Sequence, residues 1–432
     1  MTMQKSINSQ GIPDQKANAG AYADPTAPEK CALLLETLKK DVARLTHPRG
    51  YLHAGLPKFD EIFGRDSLIT MLQLLKSQPE IARSTLIALA ELQGTKVDPI
   101  TGEEPGKILH EFSEIENKGL ESLKGSIGWW KSKVPYYFSI DSTPLFITAF
   151  AEYYSMTKDE ELLCKLWPNL VAAAKWILDY GITDDLLRYG KPANGNGLQS
   201  QSWKDGVGNM MDKIVGPVAV VEVQGYAYHA LRAFAKLAEY GNENELSSRS
   251  LTASEKLKAR FDRDFWSEKD KFYYLAIDGN GDKIMKVTSN PGHLLFTGIL
   301  DKSHAEAVVK RLMQPDMLTE YGIRTHSSLD VDFDEYAYQL GSIWPHDNWI
   351  ISKGMKRMGF KSEYFIVRDS ILRAYEELRS TPEYWSAARN GRLIKPEELK
   401  EPPCDPQAWT AGTMIHYLQE ILYEAMKARM RS

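Results

Sequence analysis

The chain has 432 residues, 43% hydrophobic and 26% charged, a globular composition that excludes a disordered, collagen-like or coiled-coil chain. Its 53 basic and 58 acidic residues leave a formal charge of -5, with no basic block to neutralise a run of phosphates, which argues against a nucleic-acid partner. Cys31, Cys164 and Cys404 lie far apart, a number and spacing that support neither a disulfide framework nor a zinc site and fit a reducing, cytoplasmic compartment. Residues 1–26 are polar and carry no apolar signal region, and no stretch of roughly 18 apolar residues follows, so neither secretion nor membrane insertion is expected.

In chain order, residues 1–26 read as a mobile tail. Helix-period apolar patterns then fall at 27–46, 65–77, 79–93, 141–156, 158–180, 217–240, 242–264, 291–300, 302–314, 341–358, 361–377 and 406–428, which predicts roughly twelve helices in pairs. In the segment 222–241, Ala227, Leu231, Phe234, Ala235 and Ala238 keep one stripe, and Gly241 stands where a C-terminal cap belongs. Only 272–287 reads as a β-hairpin, around a Gly/Asn/Asp turn. No linker or composition break divides 27–432, so the prediction is one large all-α domain, a helical toroid with a single small hairpin.

Residues that break helix patterning gather in the connections: FGRDSLIT (63–70), EEPGKILHEF (103–112), SIDSTPLFI (139–147), QSWKDGVGNMMD (201–212), GIRTHSS (322–328), GSIWPHDNW (341–349), TPEYWSAARNG (381–391) and CDPQAW (404–409). In a toroid these converge at one mouth, where a rigid scaffold presents functional loops. Ten Trp and 21 Tyr are present. Trp129, Trp130, Trp203, Trp344, Trp349, Trp385 and Trp409 lie in or beside such segments, where flat faces with polar edges suit sugars and core packing is the competing role. Asp66 and Asp141 begin apolar helices, so capping is the structural alternative for both.

The ordered set GRDSLIT, PGKILHE, DSTPLFI, EVQGYAY, SNPGHLLF, GIRT, SIWPHDN and DPQAW resembles the catalytic domain of glycogen-debranching amylo-α-1,6-glucosidases. The resemblance covers roughly residues 60–425 and implies an (α/α)6 toroid that hydrolyses a glucosidic bond with inversion. Related toroids include hydrolases of glucosylglycerate or mannosylglycerate, trehalases and neutral invertases. Inversion needs one carboxyl group to protonate the leaving oxygen and a second to activate water. The resemblance places the acid at Asp205, in Trp-Lys-Asp, and the base at Glu383, in Pro-Glu-Tyr-Trp. From the residues alone, a turn aspartate and a solvated loop carboxylate remain the alternatives. Aromatic neighbours, Trp203 for the first and Tyr384 or Trp385 for the second, would exclude water.

The same resemblance carries over substrate-binding positions at Arg65, Asp66, His110, Glu111, Asp141, Trp203, Gln224, Trp344, His346, Asp347, Gln407 and Trp409. Glu222 and Gln224 share a helix two residues apart, so one faces the cavity and the other faces away; Gln224 is the residue retained. Pro-Glu-Tyr-Trp departs from the Pro-Glu-Leu of debranching enzymes and moves the site towards the small-solute hydrolases. A catalytically silent toroid that binds carbohydrate or a protein partner is the reading from another class. DGNGD (278–282) lacks the glycine and glutamate of a calcium loop and reads as the hairpin turn, and DVDFDEY (330–336) also lacks the loop glycine. Neither metal nor cofactor is expected, and the predicted partner is a carbohydrate substrate.

Overall fold

The computed structural model describes residues 28–112, 135–192, 198–206 and 213–431. The expected tail at 1–26 lies outside the described residues, as do Trp129 and Trp130. Twelve helices occur among the described residues: α1 (Pro28–Leu45), α2 (Gly64–Leu74), α3 (Pro79–Glu91), α4 (Ser142–Thr157), α5 (Glu160–Trp176), α6 (Val221–Gly241), α7 (Asn244–Asp264), α8 (Leu294–Thr297), α9 (Lys302–Leu312), α10 (Pro345–Met358), α11 (Lys361–Leu378) and α12 (Ala408–Arg431). Each answers to one predicted segment. The segment at 158–180 departs from α-geometry after Trp176, where Ile177–Gly181 form a π-turn. That at 291–300 yields little α-helix, because Pro291 opens a 3-10 turn over Asn290–His293 and Gly298, at φ 75, ends α8 after one turn.

Helix contacts define two layers. α2 packs on α4, α4 on α6, α6 on α8, α8 on α10, α10 on α12, and α12 back on α2. The other helices lie outside: α3 against α2 and α4, α5 against α4 and α6, α7 against α6, α9 against α10, α11 against α10 and α12, and α1 against α12. Sequence explains the sorting. Inner α4 is buried without interruption from Ser142 to Phe150, whereas outer α7 buries only a stripe, Leu246, Ser250, Ser254, Leu257 and Phe261. Full burial of side chains such as Leu257 and Phe261 contributes about 1.5–3 kcal/mol each.

Gly241 does not cap α6. It is the last helical residue, and Asn242, at φ 56, takes the left-handed position. Gly241 is needed because a Cβ there would meet the Trp167 indole at 2.1 Å.

The predicted hairpin is present but shorter, with Ala276–Ile277 paired to Lys283–Ile284 across the Asp278–Asp282 turn and Ala219–Val220 added as a third strand. It is not single: Phe272–Tyr273 pairs with Trp266–Ser267, and further two-residue pairs join Ile182–Thr183 to Leu186–Leu187, Leu318–Thr319 to Gly322–Ile323 and Ser386–Ala387 to Leu393–Ile394. Asp278 Oδ1 accepts from the backbone N–H groups of Asn280 and Asp282, at 2.9 and 2.8 Å, the local bonding of a turn. A second three-stranded ladder joins β1 (Ile62–Phe63), β2 (Glu111–Phe112) and β3 (Pro135–Tyr136), with Phe63 opposite Glu111 and Glu111 opposite Tyr136. Strands of two residues have no period to read in a sequence. Among the described residues no helix is long and apolar enough to cross a membrane.

Candidate active site

The N-terminal turns of the inner helices touch one another around the ring, which puts them at the same end of the toroid. Arg65 of α2 donates from Nη1 to Asp141, at the start of α4, at 3.0 Å. His293, just before α8, lies 2.6 Å from Asp347 Oδ1 in the first turn of α10. His346 stacks on Trp409 of α12 with ring centroids 3.7 Å apart. Gln407, preceding α12, reaches back to Asp66 of α2 at 3.5 Å. Helix N-termini present unpaired N–H groups and a positive dipole end, so carboxylates are favoured there.

These turns surround a cavity of about 360 Å³. Arg65, Asp66, His110, Glu111, Trp203, Asp205, Trp344, Glu383 and Trp409, nine of the predicted residues, line it. Five others do not. Asp141 is fully buried behind Arg65, where its carboxylate also accepts from Ser139 Oγ at 2.7 Å; although it is the N-cap of α4, its side chain makes no capping bond. His346, Asp347 and Gln407 are likewise fully buried; His346 backs Trp409 and Gln407 backs Asp66, whereas Asp347 meets His293 behind the lining.

Gln224 is placed elsewhere altogether. Its amide accepts from Leu187 N at 2.9 Å and donates to Leu187 O at 2.8 Å, so it ties α6 to an outer connection. The two-residue offset on α6 operates in the opposite sense to the expectation. Glu222 is the inward residue, buried beside His293 and Asn290, and burial raises its carboxyl above the usual range.

Asp205 receives Arg65 Nη2 at 2.5 Å. Burial pushes its carboxyl up, and the guanidinium opposes that shift. The backbone on both sides of Asp205 is fixed by Gln339, which donates from Nε2 to Trp203 O at 2.8 Å and accepts from Gly206 N at 3.0 Å. Lys204, between them, buries its ammonium under the Trp203 ring and donates to Thr325 O at 2.6 Å.

Glu383 is 3% exposed, and burial pushes its carboxyl up to about 8. Tyr338 OH donates to Oε1 at 2.5 Å and Cys404 N to Oε2 at 3.4 Å, both favouring the ionised form. Asp66 is raised to about 7, again by burial, against the pull of Arg65. Glu111 is raised well above the usual range by burial and then by Asp205 and Asp66. His110, held edge-on by Phe63 and Tyr136, is pushed well below its usual value by burial and by Arg65. The cavity thus combines carboxyl groups raised by burial with the Arg65 guanidinium, an environment that suits proton transfer.

Trp203, Trp344, Tyr384 and Trp409 form an aromatic cluster separate from the main helical core. Trp344 stacks on Tyr384 at 5.1 Å and stands edge-on to Trp203 at 5.9 Å. Trp349 and Trp385 belong to the main core. Tyr338, Gln339, Lys204 and Glu222 are site residues that the sequence reading does not select. Tyr338 and Gln339 follow the acidic run 330–336, whose composition points to a solvated or substrate-facing loop. In that run Asp330 and Asp332 face His326, and Lys286 Nζ lies 3.3 and 2.8 Å from them. One ammonium thus bridges the two carboxylates of this cluster.

Fold and cavity together define a helical toroid with a carboxyl-lined, aromatic-walled axial pocket. Residues 66–393 match the model of the mannosylglycerate hydrolase MGH1-like glycoside hydrolase domain, and the chain belongs to that family of glycoside hydrolases. The mannosylglycerate hydrolase of Rubrobacter radiotolerans is 26% identical over 109 residues, a match that spans 24% of this chain and 25% of the relative. The GH63 mannosylglycerate hydrolase of Thermus thermophilus, solved with Tris and D-glycerate, is 15% identical with a TM-score of 0.69, over 90% of this chain and 100% of that one. Its complex with glucose gives a TM-score of 0.65 at 15% identity, over 90% and 99%. The resemblance to debranching glucosidases accordingly holds for the toroidal hydrolase class, and the family itself is one of the small-solute relatives. Six of the eight motifs behind that resemblance, GRDSLIT, DSTPLFI, EVQGYAY, SNPGHLLF, SIWPHDN and DPQAW, fall at the N-termini of the six inner helices.

Proposed function

We propose that this chain hydrolyses a small glycoside, with mannosylglycerate or glucosylglycerate as the leading substrates, by inversion at the anomeric carbon. The observation that carries the reading is that Asp205 and Glu383 both line one cavity of about 360 Å³. That volume is near the lower end of the ~300–1,000 Å³ typical of small-ligand sites, a size that suits a compact glycoside better than a branched polymer. Family membership supports the same choice.

In this mechanism Asp205 protonates the glycosidic oxygen, and Glu383 takes a proton from the water that attacks the opposite face of the sugar. Burial favours the protonated state that Asp205 needs. Arg65 favours the ionised state, so sugar hydroxyls that draw the guanidinium away would release Asp205 to hold its proton. Tyr338 and Cys404 N stabilise the carboxylate that Glu383 must present. Trp203, Trp344 and Trp409 provide apolar walls for the sugar, while Asp66 and Glu111 offer hydrogen bonds to its hydroxyls.

Incubation with mannosylglycerate, glucosylglycerate, trehalose, sucrose, isomaltose and branched dextrins, followed by proton NMR, tests the reading. The expected result is monosaccharide release from a glycerate glycoside, with inverted anomeric configuration in the first minutes. Release from dextrins alone would return the debranching reading, and product of retained configuration would remove the water-mediated mechanism. In the substrate that is turned over, Asp205→Asn and Glu383→Gln should each lose at least ~100-fold in kcat, a loss typical for an essential acid or base. Retention of more than about a tenth of parental kcat, a loss below ~1.4 kcal/mol, would reassign the role concerned.

A further inference from the structure

We propose that Gln339 is a positioning residue for the acid, and that the Tyr338–Gln339 pair sets the two carboxyl groups relative to each other. The proposal rests on the assignment of Asp205 and Glu383 above. Its basis is the adjacency of two side chains with separate targets. Tyr338 OH donates to Glu383 Oε1 at 2.5 Å. Gln339, only 3% exposed, bonds the carbonyl two residues before Asp205 and the N–H one residue after it, at 2.8 and 3.0 Å. A displacement of residues 338–339 would therefore move both reactive groups.

Close approach reinforces the link. A Cβ on Gly206 would meet Tyr338 Cδ1 at 2.8 Å and Gln339 Oε1 at 3.1 Å, so the acid's own segment lies directly against the brace. The brace is in turn fixed on its far side, where Tyr338 O accepts from Trp344 Nε1 at 3.0 Å and from Ser342 Oγ at 2.5 Å. Rigid second-layer contacts matter because misplacing a reacting group by ~1 Å can cost about 100-fold.

An acid that is present but misaimed leaves a specific signature. A glycosyl fluoride leaves with little protonation, whereas a sugar alkoxide depends on the acid. Gln339→Met removes both hydrogen bonds at similar volume. Its kcat on the glycoside that the parent hydrolyses should fall by ~10-fold or more, with KM changed by less than ~3-fold, while kcat on the matching glycosyl fluoride falls by less than ~3-fold. Gln339→Glu keeps the acceptor for Gly206 N, exchanges the Nε2 donor for an oxygen against Trp203 O and adds a charge beside the acid, so it too should lose more kcat on the glycoside than on the fluoride.

Equal losses on both substrates, or none, in whichever variant retains a parental circular dichroism spectrum would overturn the brace. Asp205→Asn, assayed alongside, distinguishes the failures. If it turns over the glycoside like the parent, the acid assignment falls and the proposal with it. If it is inactive on the glycoside while the Gln339 variants keep the parental ratio, the brace alone is wrong.

Discussion

An ionised carboxyl in this cavity is costly, and the protein offsets that cost differently at each position. Asp141 and Asp205 share the Arg65 guanidinium. Glu383 has neutral donors, Tyr338 OH and Cys404 N, so burial still carries it to about 8. Because its folded value is raised from 4.5, its contribution to stability is fully present below the unfolded value and is lost as pH rises through about 8. Glu383→Gln should therefore melt higher than the parent at pH 8.5, by ~2 °C or more, and show little advantage at pH 4.5; a lower midpoint at both would contradict the sign. As the proposed base, Glu383 must be ionised, so kcat/KM should rise with pH towards about 8. Tyr338→Phe deletes a donor to the ionised form, and that limb should shift to higher pH; a shift to lower pH would show that the phenol does not stabilise the carboxylate.

Packing at the element scale explains why some of this site is readable in the sequence and some is not. The segments of Asp205 and Glu383, together with Arg65, Asp66 and Trp409, sit at helix starts and loops whose composition breaks the apolar period, so they stand out as segments, while the roles proposed for the two carboxyls rest on the family resemblance. Glu222 and Gln224 cannot be sorted, because a two-residue offset shows that they diverge and says nothing about which faces the axis. Tyr338 reaches the site through one hydrogen bond and Gln339 through two, from an irregular connection, which leaves no pattern. Glycine carries a further constraint: a Cβ on Gly64, at the start of α2, would meet Leu109 O at 2.2 Å and Ser142 Oγ at 2.6 Å. Gly64→Ala must push α2 away from α4 and from the strand segment beside it, carrying Arg65 and Asp66 along. The expected cost is ~1–3 kcal/mol, together with a fall in kcat/KM, read by denaturant unfolding and by the glycoside assay. An unchanged midpoint with parental activity would show that the contact relaxes freely.

At the scale of the whole molecule, one continuous apolar core runs from Cys31 in α1 to Ile421 in α12, so the ring depends on a seam between distant parts of the chain. α12 closes onto α2 through Gln73 Nε2, which donates to Thr413 Oγ1 at 2.9 Å. Gly412 makes the approach possible, since a Cβ there would lie 2.3 Å from Gln73 Oε1. Gln73 is 1% exposed and held by Thr413. Gly412→Leu should force the seam apart at a cost of ~1–3 kcal/mol, offset in part by the ~1 kcal/mol of helix propensity gained on losing glycine. Each inner helix buries its faces against the next, so opening one seam removes support from both neighbours. The loss should therefore appear as a single transition shifted to lower temperature, with far-UV circular dichroism and tryptophan fluorescence falling together, the latter reporting Trp349 in the core and Trp409 in the aromatic cluster. Two separated transitions, or a fluorescence change that precedes the loss of helix, would mean that the aromatic mouth unfolds independently and that residues 28–431 do not behave as one cooperative unit.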